Sequence, residues 1–469
     1  MESREFYFAA FVAGACAMIV EVGGGRIIAP YLGTTIYTWA AVIGLVLAAL
    51  SAGYYLGGIY AERYNDQKHL GRVFFQAAIC TVLIPFLAKI IVPVSTLFPL
   101  AFASIMSALV LVPASVFYGM VSPYTIKLVS RDKESGKMSG QVFALSTLGS
   151  IIGTLGTGFI LIPNISITLI FVGAGAVMFF SGWLISRKIN SVDAFVFLMF
   201  ATFSSFITFS PLVNTTTIFQ ANSEYYDIIV VDNVSFNNRT GRILLLDSAY
   251  SSGETPDGSS LFNYVNEGKK LYSLSSNPKR ALVIGVGAGT QIEDLKKEFP
   301  DLIVDGVEID PKVAEAGSKY FSLKLDNRTN IFIDDGRRYV KSTQRKYDIV
   351  VLDVFRGRSV PFHLTSIEFV KELKNVTNPD AIIIMNLISA VEGEKSRFLQ
   401  LIYNTYSSEF SNVYILPLGD EPEKSQNVIM VVSDSNLSSR LNNSKVRSIK
   451  PNISQIVTDD INPMEVLVQ

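Results

Sequence analysis

The chain has 469 residues, a formal net charge of −1, and 49% hydrophobic against 17% charged residues. A mean hydropathy of +0.35 is high for a soluble enzyme, and the near-zero charge offers no basic surface for nucleic acid. Its two cysteines, Cys16 and Cys80, sit in apolar segments, which argues against a disulfide framework.

The apolar excess is confined to the first half. No charged residue occurs in 90–126, 138–186 or 194–223. A crossing of ~30 Å of hydrocarbon needs roughly 20 apolar residues, so these stretches hold several spans. Seven are predicted, at about 6–32, 37–60, 73–93, 97–121, 139–163, 165–186 and 192–212. The first is not a cleavable signal peptide, because Glu21 and Arg26 follow its core and further spans come after it. Ionisable groups at membrane depth are costly and usually face protein or a watery cavity. Glu21 and Arg26, separated by Gly23, Gly24 and Gly25, therefore read either as a structural or interfacial pair or as functional groups. Lys89 can reach the interface by snorkelling. Gly149, Gly153, Gly156 and Gly158 in the fifth span suit close helix packing.

Basic residues cluster between spans two and three (Arg63, Lys68, Arg72), four and five (Lys127, Arg131, Lys133, Lys137), and six and seven (Arg187, Lys188). The positive-inside rule puts these loops and the N-terminus in the cytoplasm. Seven crossings then deliver the second half outside, with which eight Asn-x-Ser/Thr sequons between Asn214 and Asn452 are compatible. One re-entrant span reverses that answer. The expected organisation is a multi-span helical membrane domain, 1–212, followed by an α/β domain, 213–469. The latter divides into a small β region, 213–275, and a sheet region, 276–469.

In the α/β domain, 224–232 and 242–247 read as strands joined by a polar turn through Asn237, Asn238 and Gly241, a β-hairpin. Beyond a Ser/Gly/Pro-rich loop, strands at 281–284, 303–309, 330–333, 349–353 and 381–386 alternate with helices such as 291–299 and 311–321. That alternation predicts a doubly wound, mostly parallel, Rossmann-like sheet.

Gly285, Gly287 and Gly289 follow the first buried strand and open a helix, where glycine permits a tight turn and close approach to a ligand. About 20 residues on, Glu308 ends the next strand, where a carboxylate can accept from both hydroxyls of a ribose. Asp335 and Gly336 close the third strand and Asp353 the fourth. Ligands of such folds bind beyond the carboxyl ends of the strands, so these residues mark a nucleotide-like site. Asp310 and Asp334 read as a helix cap or turn residues. With His69 and His363 the only histidines, no cluster has metal-ligand spacing, and neither a nucleophile elbow nor a phosphate loop is present.

These residues resemble the spermidine synthase (polyamine aminopropyltransferase) family. The matching elements are Ser223-Glu224-Tyr225, Leu246-Asp247, the glycine turn, Val307-Glu308-Ile309-Asp310, Asp335-Gly336 and the run from Tyr347 to Asp353. Pro361-Phe362-His363-Leu364-Thr365 and the apolar first half look like its membrane-fused members. The resemblance implies a β domain ahead of a methyltransferase-like sheet, with decarboxylated S-adenosylmethionine or S-adenosylmethionine as co-substrate, no metal, and room for a homodimer. It implies Glu308 on the ribose, Asp335 beside the adenine, Asp353 at the attacking amine, and Tyr225 and Asp247 on the substrate side. Three positions depart from it: Ala288 and Arg356 stand where aspartate is usual, and Ser251 lies nearest to a missing glutamine. The donor side matches better than the amine side; Arg356 and Arg358 would suit a negatively charged acceptor or a carboxylate-bearing donor. Aminopropyl transfer, methyl transfer, and nucleoside binding by a non-catalytic membrane sensor or transporter all remain open readings.

Overall fold

In the computed structural model the described residues are 3–32, 35–130, 135–188, 191–208, 216–247, 249–354, 361–441, 446 and 454–464. Arg356 and Arg358 lie outside them, as does the 212/213 boundary. The chain divides into two compact units: Met1–Pro211 with Asn222–Glu224, and Leu212–Ala221 with Tyr225–Gln469.

The first unit is helical. Among the described residues six helices are long and apolar enough to cross a membrane: Arg4–Leu32, Ile36–Arg63, Gln67–Ser95, Leu100–Val129, Ser135–Asn164 and Ile167–Ser186. The seventh expected span is a helix, Ser191–Thr208, whose apolar described part, Ser191–Ser204, is shorter than the other six. Glycines bring helices together. A Cβ on Gly149 would lie 2.0 Å from the Phe11 carbonyl oxygen, and one on Gly153 2.4 Å from that of Ala15. Gly156 and Gly158 face open space instead, so only half of the predicted glycine set makes a helix contact. Gly23, Gly24 and Gly25 admit Phe171, Leu111 and Trp39 from three neighbouring helices.

The second unit holds two sheets. The expected hairpin is the centre of a four-stranded sheet ordered β1 (Thr216–Asn222), β2 (Asp227–Phe236), β3 (Arg239–Leu246) and β4 (Ala249–Glu254). Asn237 and Asn238 make the turn between β2 and β3 with φ of 48° and 61°, left-handed values that asparagine tolerates.

The larger sheet comprises β5 (Arg280–Ile284), β6 (Ile303–Glu308), β7 (Thr329–Ile333), β8 (Tyr347–Leu352), β9 (Thr377–Ser389), β10 (Asn412–Pro417) and β11 (Gln426–Ser433). Their order is β10-β11-β9-β8-β5-β6-β7. The five expected strands are the parallel ones, while β11 runs antiparallel to both of its neighbours, making the sheet mixed. Apolar clusters bury its strands from both faces. The smaller sheet packs Ile228, Val230, Leu244 and Leu246 against Ala288 of the glycine turn and against Val313 and Ala316. That contact sets β4 beside the carboxyl ends of β5 and β6.

Candidate active site

The site grows from the carboxyl ends of β5 to β8. Gly285, Gly287 and Gly289 all have positive φ, of 88°, 54° and 80°. At Gly285 a Cβ would also stand 2.5 Å from the Asp353 carbonyl oxygen, so the turn and the end of β8 are in backbone contact. Glu308 holds this turn. Its Oε2 accepts from the backbone N–H groups of Val286 and Gly287 at 3.1 and 3.2 Å, and Oε1 accepts from Asp310 N at 3.2 Å. From β4, Ser252 Oγ accepts from Ala288 N at 3.2 Å.

Asp335 caps the helix Gly336–Ser342, Oδ1 accepting from the N–H groups of Arg337 and Arg338. Its Oδ2 lies 2.9 Å from His363 Nε2. The His363 hydrogen bond, aided by those backbone donors, holds the Asp335 carboxyl well below the usual range, at about 2. Asp353 presents Oδ2 to the Tyr264 hydroxyl at 3.0 Å and to the side-chain amide of Gln291.

These groups line one cavity of about 430 Å³, a size suited to a small-molecule ligand. Gly285, Gly287, Glu308, Asp335, Gly336 and Asp353 all line it; Gly289 does not, but starts the helix behind it. Tyr225 and Asp247 are not lining residues either. Tyr226 lines the cavity in place of its neighbour. Asp247 accepts from Asp227 N at 2.9 Å with φ 52°, tying the ends of β2 and β3 together. Asp310 caps the helix Pro311–Tyr320, as its position after β6 suggested.

Sequence reasoning missed the opposite wall. Phe236, Tyr250, Phe262 and Tyr264 line it as successive ring contacts at 5.2–6.1 Å. Asn427 donates to Asn386 Oδ1 at 3.0 Å across β9 and β11. The alternation of β2 could have flagged Phe236, but nothing local marks Tyr264 or Gln291, which reach Asp353 from 89 and 62 residues away. Among the described residues the lining carries four carboxylates (Glu308, Asp334, Asp335, Asp353). Thr290 Oγ1 is buried without a hydrogen-bond partner in the wall, the state of a polar atom that a ligand would satisfy. Among the described residues no group of three or more His, Cys, Asp or Glu is placed to hold a metal.

Residues 269–436 match the family described as spermine/spermidine synthase domain. Polyamine aminopropyltransferase of Vibrio vulnificus is 27% identical over 244 residues, covering 50% of this chain and 78% of that protein. Polyamine aminopropyltransferase 2 of Aquifex aeolicus is 24% identical over 392 residues, 80% of this chain and 77% of its own, so the likeness extends into the helical half. The spermidine synthase structure from Thermotoga maritima superposes with a TM-score of 0.37 at 19% identity, covering 52% of this chain and 82% of that one. Residues 269–436 are thus similar to a spermine/spermidine synthase domain, and the chain is similar in sequence to polyamine aminopropyltransferases.

Proposed function

We propose that the chain is a membrane-bound aminopropyltransferase that moves the aminopropyl group of decarboxylated S-adenosylmethionine to an amine. One observation carries the reading. Asp353, held by Tyr264 and Gln291, shares one cavity with the Glu308-braced glycine turn and Asp335.

In this scheme the nucleoside lies along the ends of β5 to β7. Glu308 accepts from the ribose hydroxyls, and Asp335 and His363 border the base. The acceptor amine lies between Asp353 and the ring wall, whose π faces attract an ammonium. An amine protonated at neutral pH must lose a proton before attack, and a carboxylate in contact can accept it. The nitrogen lone pair then forms the new C–N bond at the aminopropyl carbon. The C–S bond breaks, and its electron pair neutralises the sulfonium to give methylthioadenosine. The Tyr264 and Gln291 bonds keep Asp353 aimed throughout. Bilayer attachment is supported by the six apolar helices, several of which expose large side chains such as Ile43, Leu47, Phe159 and Ile160.

Purified protein incubated with decarboxylated S-adenosylmethionine and a panel of amines tests the reading. Methylthioadenosine and an aminopropylated amine are the expected products. S-Adenosylhomocysteine formed from the intact donor would instead establish methyl transfer. Nucleoside binding without turnover would make the chain a sensor or transporter and refute the assignment.

A further inference from the structure

The segment 454–464 lies outside the residues that match the family, yet it packs behind the wall of the site. Val457 is fully buried in the core beneath β8 and β9. Its carbonyl accepts from Ile367 N at 2.8 Å, and its N–H donates to Thr405 Oγ1 at 3.1 Å. Beyond that anchor Asn462 reaches the turn 362–365, and Asp459 reaches Ser366, which follows the turn, and Arg337. Asn462 Nδ2 donates to the Phe362 carbonyl at 2.8 Å and to Thr365 Oγ1 at 3.1 Å. Asp459 accepts from Ser366 Oγ at 2.6 Å and takes both terminal nitrogens of Arg337, at 2.7 and 2.8 Å.

Arg337 is the hub. Its Nε and Nη2 donate to Glu372 at 2.7 and 2.9 Å, and its Nη1 donates to the His363 carbonyl at 3.1 Å. All its nitrogens are therefore engaged in a side chain that is only 10% exposed. Paired charge of this kind is held in a defined geometry, because bidentate guanidinium–carboxylate contacts are directional. Arg337 follows Asp335 by two residues, and His363 follows Phe362. The network thus fixes both partners of the Asp335–His363 contact, each through its own backbone.

We infer that the segment 454–464 is a positioning strap for the donor end of the site, in which Asp459 and Asn462 hold the turn 362–365 so that His363 stays against Asp335. This rests on the assignment of Asp335 and His363 to the nucleoside side. Without the strap Arg337 keeps Glu372, so the fold survives, but the turn loses its outer supports and His363 departs from the cavity wall part of the time. Asp459 and Asn462 touch no substrate and act through His363.

The full chain in detergent, as wild type and as Asp459→Asn/Asn462→Ala, tests the strap. The dissociation constant for methylthioadenosine and the donor KM should each rise about tenfold, the order that losing hydrogen bonds to a charged group produces. Turnover at saturating donor and the acceptor KM should stay within about twofold, and the unfolding midpoint should move little. His363→Ala, added to the double variant, should cause no additional loss, since sites acting through one contact are not additive. Hydrogen exchange at the Leu364 and Thr365 amides, bonded in the wild type to Pro361 and Phe362, should speed up in the double variant. Unchanged nucleoside affinity, or losses that add with His363→Ala, would overturn the inference. A wild type that binds no nucleoside would sink the functional assignment instead, and unchanged exchange would still remove the strap.

Discussion

Glu308→Gln isolates what the carboxylate at the end of β6 does. Glu308 receives three backbone N–H groups, two on Oε2 and one on Oε1. A glutamine has one acceptor oxygen, so whichever way the amide turns, its NH2 faces a donor. The cheaper orientation keeps Val286 and Gly287 and abandons Asp310, leaving one buried N–H unpaired at a cost of about 1–3 kcal/mol. The two retained bonds lose their charge, which roughly halves their strength. Together the turn should be destabilised by about 2–4 kcal/mol, a factor of at least ~30 in any equilibrium that needs the turn formed. Hydrogen exchange at Val286 and Gly287 and calorimetric binding of methylthioadenosine both read this. Glu308→Asp should be similarly damaging, because it keeps the charge but withdraws it by one methylene. Exchange and affinity within ~0.5 kcal/mol of wild type in Glu308→Gln would refute the claim that this carboxylate organises the donor turn.

Other expectations follow from the same geometry. Gly285→Ala must place a Cβ at positive φ and 2.5 Å from the Asp353 carbonyl; at least about 1–2 kcal/mol of backbone strain plus displacement of Asp353 should depress turnover more than tenfold, which steady-state kinetics will show. Tyr264→Phe removes the hydroxyl that holds Asp353 Oδ2 and should lower kcat about 10- to 100-fold with donor KM unchanged; an equal rise in donor KM would place Tyr264 elsewhere in the reaction. The Asp335 carboxyl, ordinarily at 3.8, is held at about 2 by His363 and the helix N–H groups. Its contribution to stability is therefore full above about pH 4 and is lost as pH falls towards 2. Asp335→Asn should flatten that step in an acid-unfolding curve, and an unaltered curve would count against the contact. Six crossings return a chain to the side on which it began, so a tag at the C-terminus should be protected in intact cells; labelling from outside would restore the seven-span topology.

Much of this was legible in the chain. The apolar runs mark the helices because a bilayer demands about 20 such residues whatever the neighbours are. Glycines at 285, 287 and 289 mark a turn because their backbone angles are denied to other residues, and the strand-terminal acids mark a ligand edge because parallel strands leave their carboxyl ends open. β10 and β11 carry apolar runs as plain as those of the expected strands, whereas β1 and β4 lack so plain a signal. β4, for instance, reads Ala-Tyr-Ser-Ser-Gly-Glu and has no apolar alternation. The seventh expected span also coincides with a helix, Ser191–Thr208.

What only the tertiary structure decided is who stands opposite whom. Local pattern reports which residues a strand or helix will bury, but pairing across 62 or 89 residues depends on which strands and segments pack together. The pairing of β5 with β8 brings Gln291 to Asp353, packing of the segment after β4 brings Tyr264 there, Tyr226 rather than Tyr225 enters the wall, and the pairing of β2 with β3 makes Asp247 a hairpin tie. The chain alone marked the ends of β5 to β8 as the edge where a ligand is expected. The folded molecule determined that the wall facing the glycine turn is built of aromatic rings and paired asparagines, because side-chain chemistry becomes a site only where backbone packing makes separate segments meet.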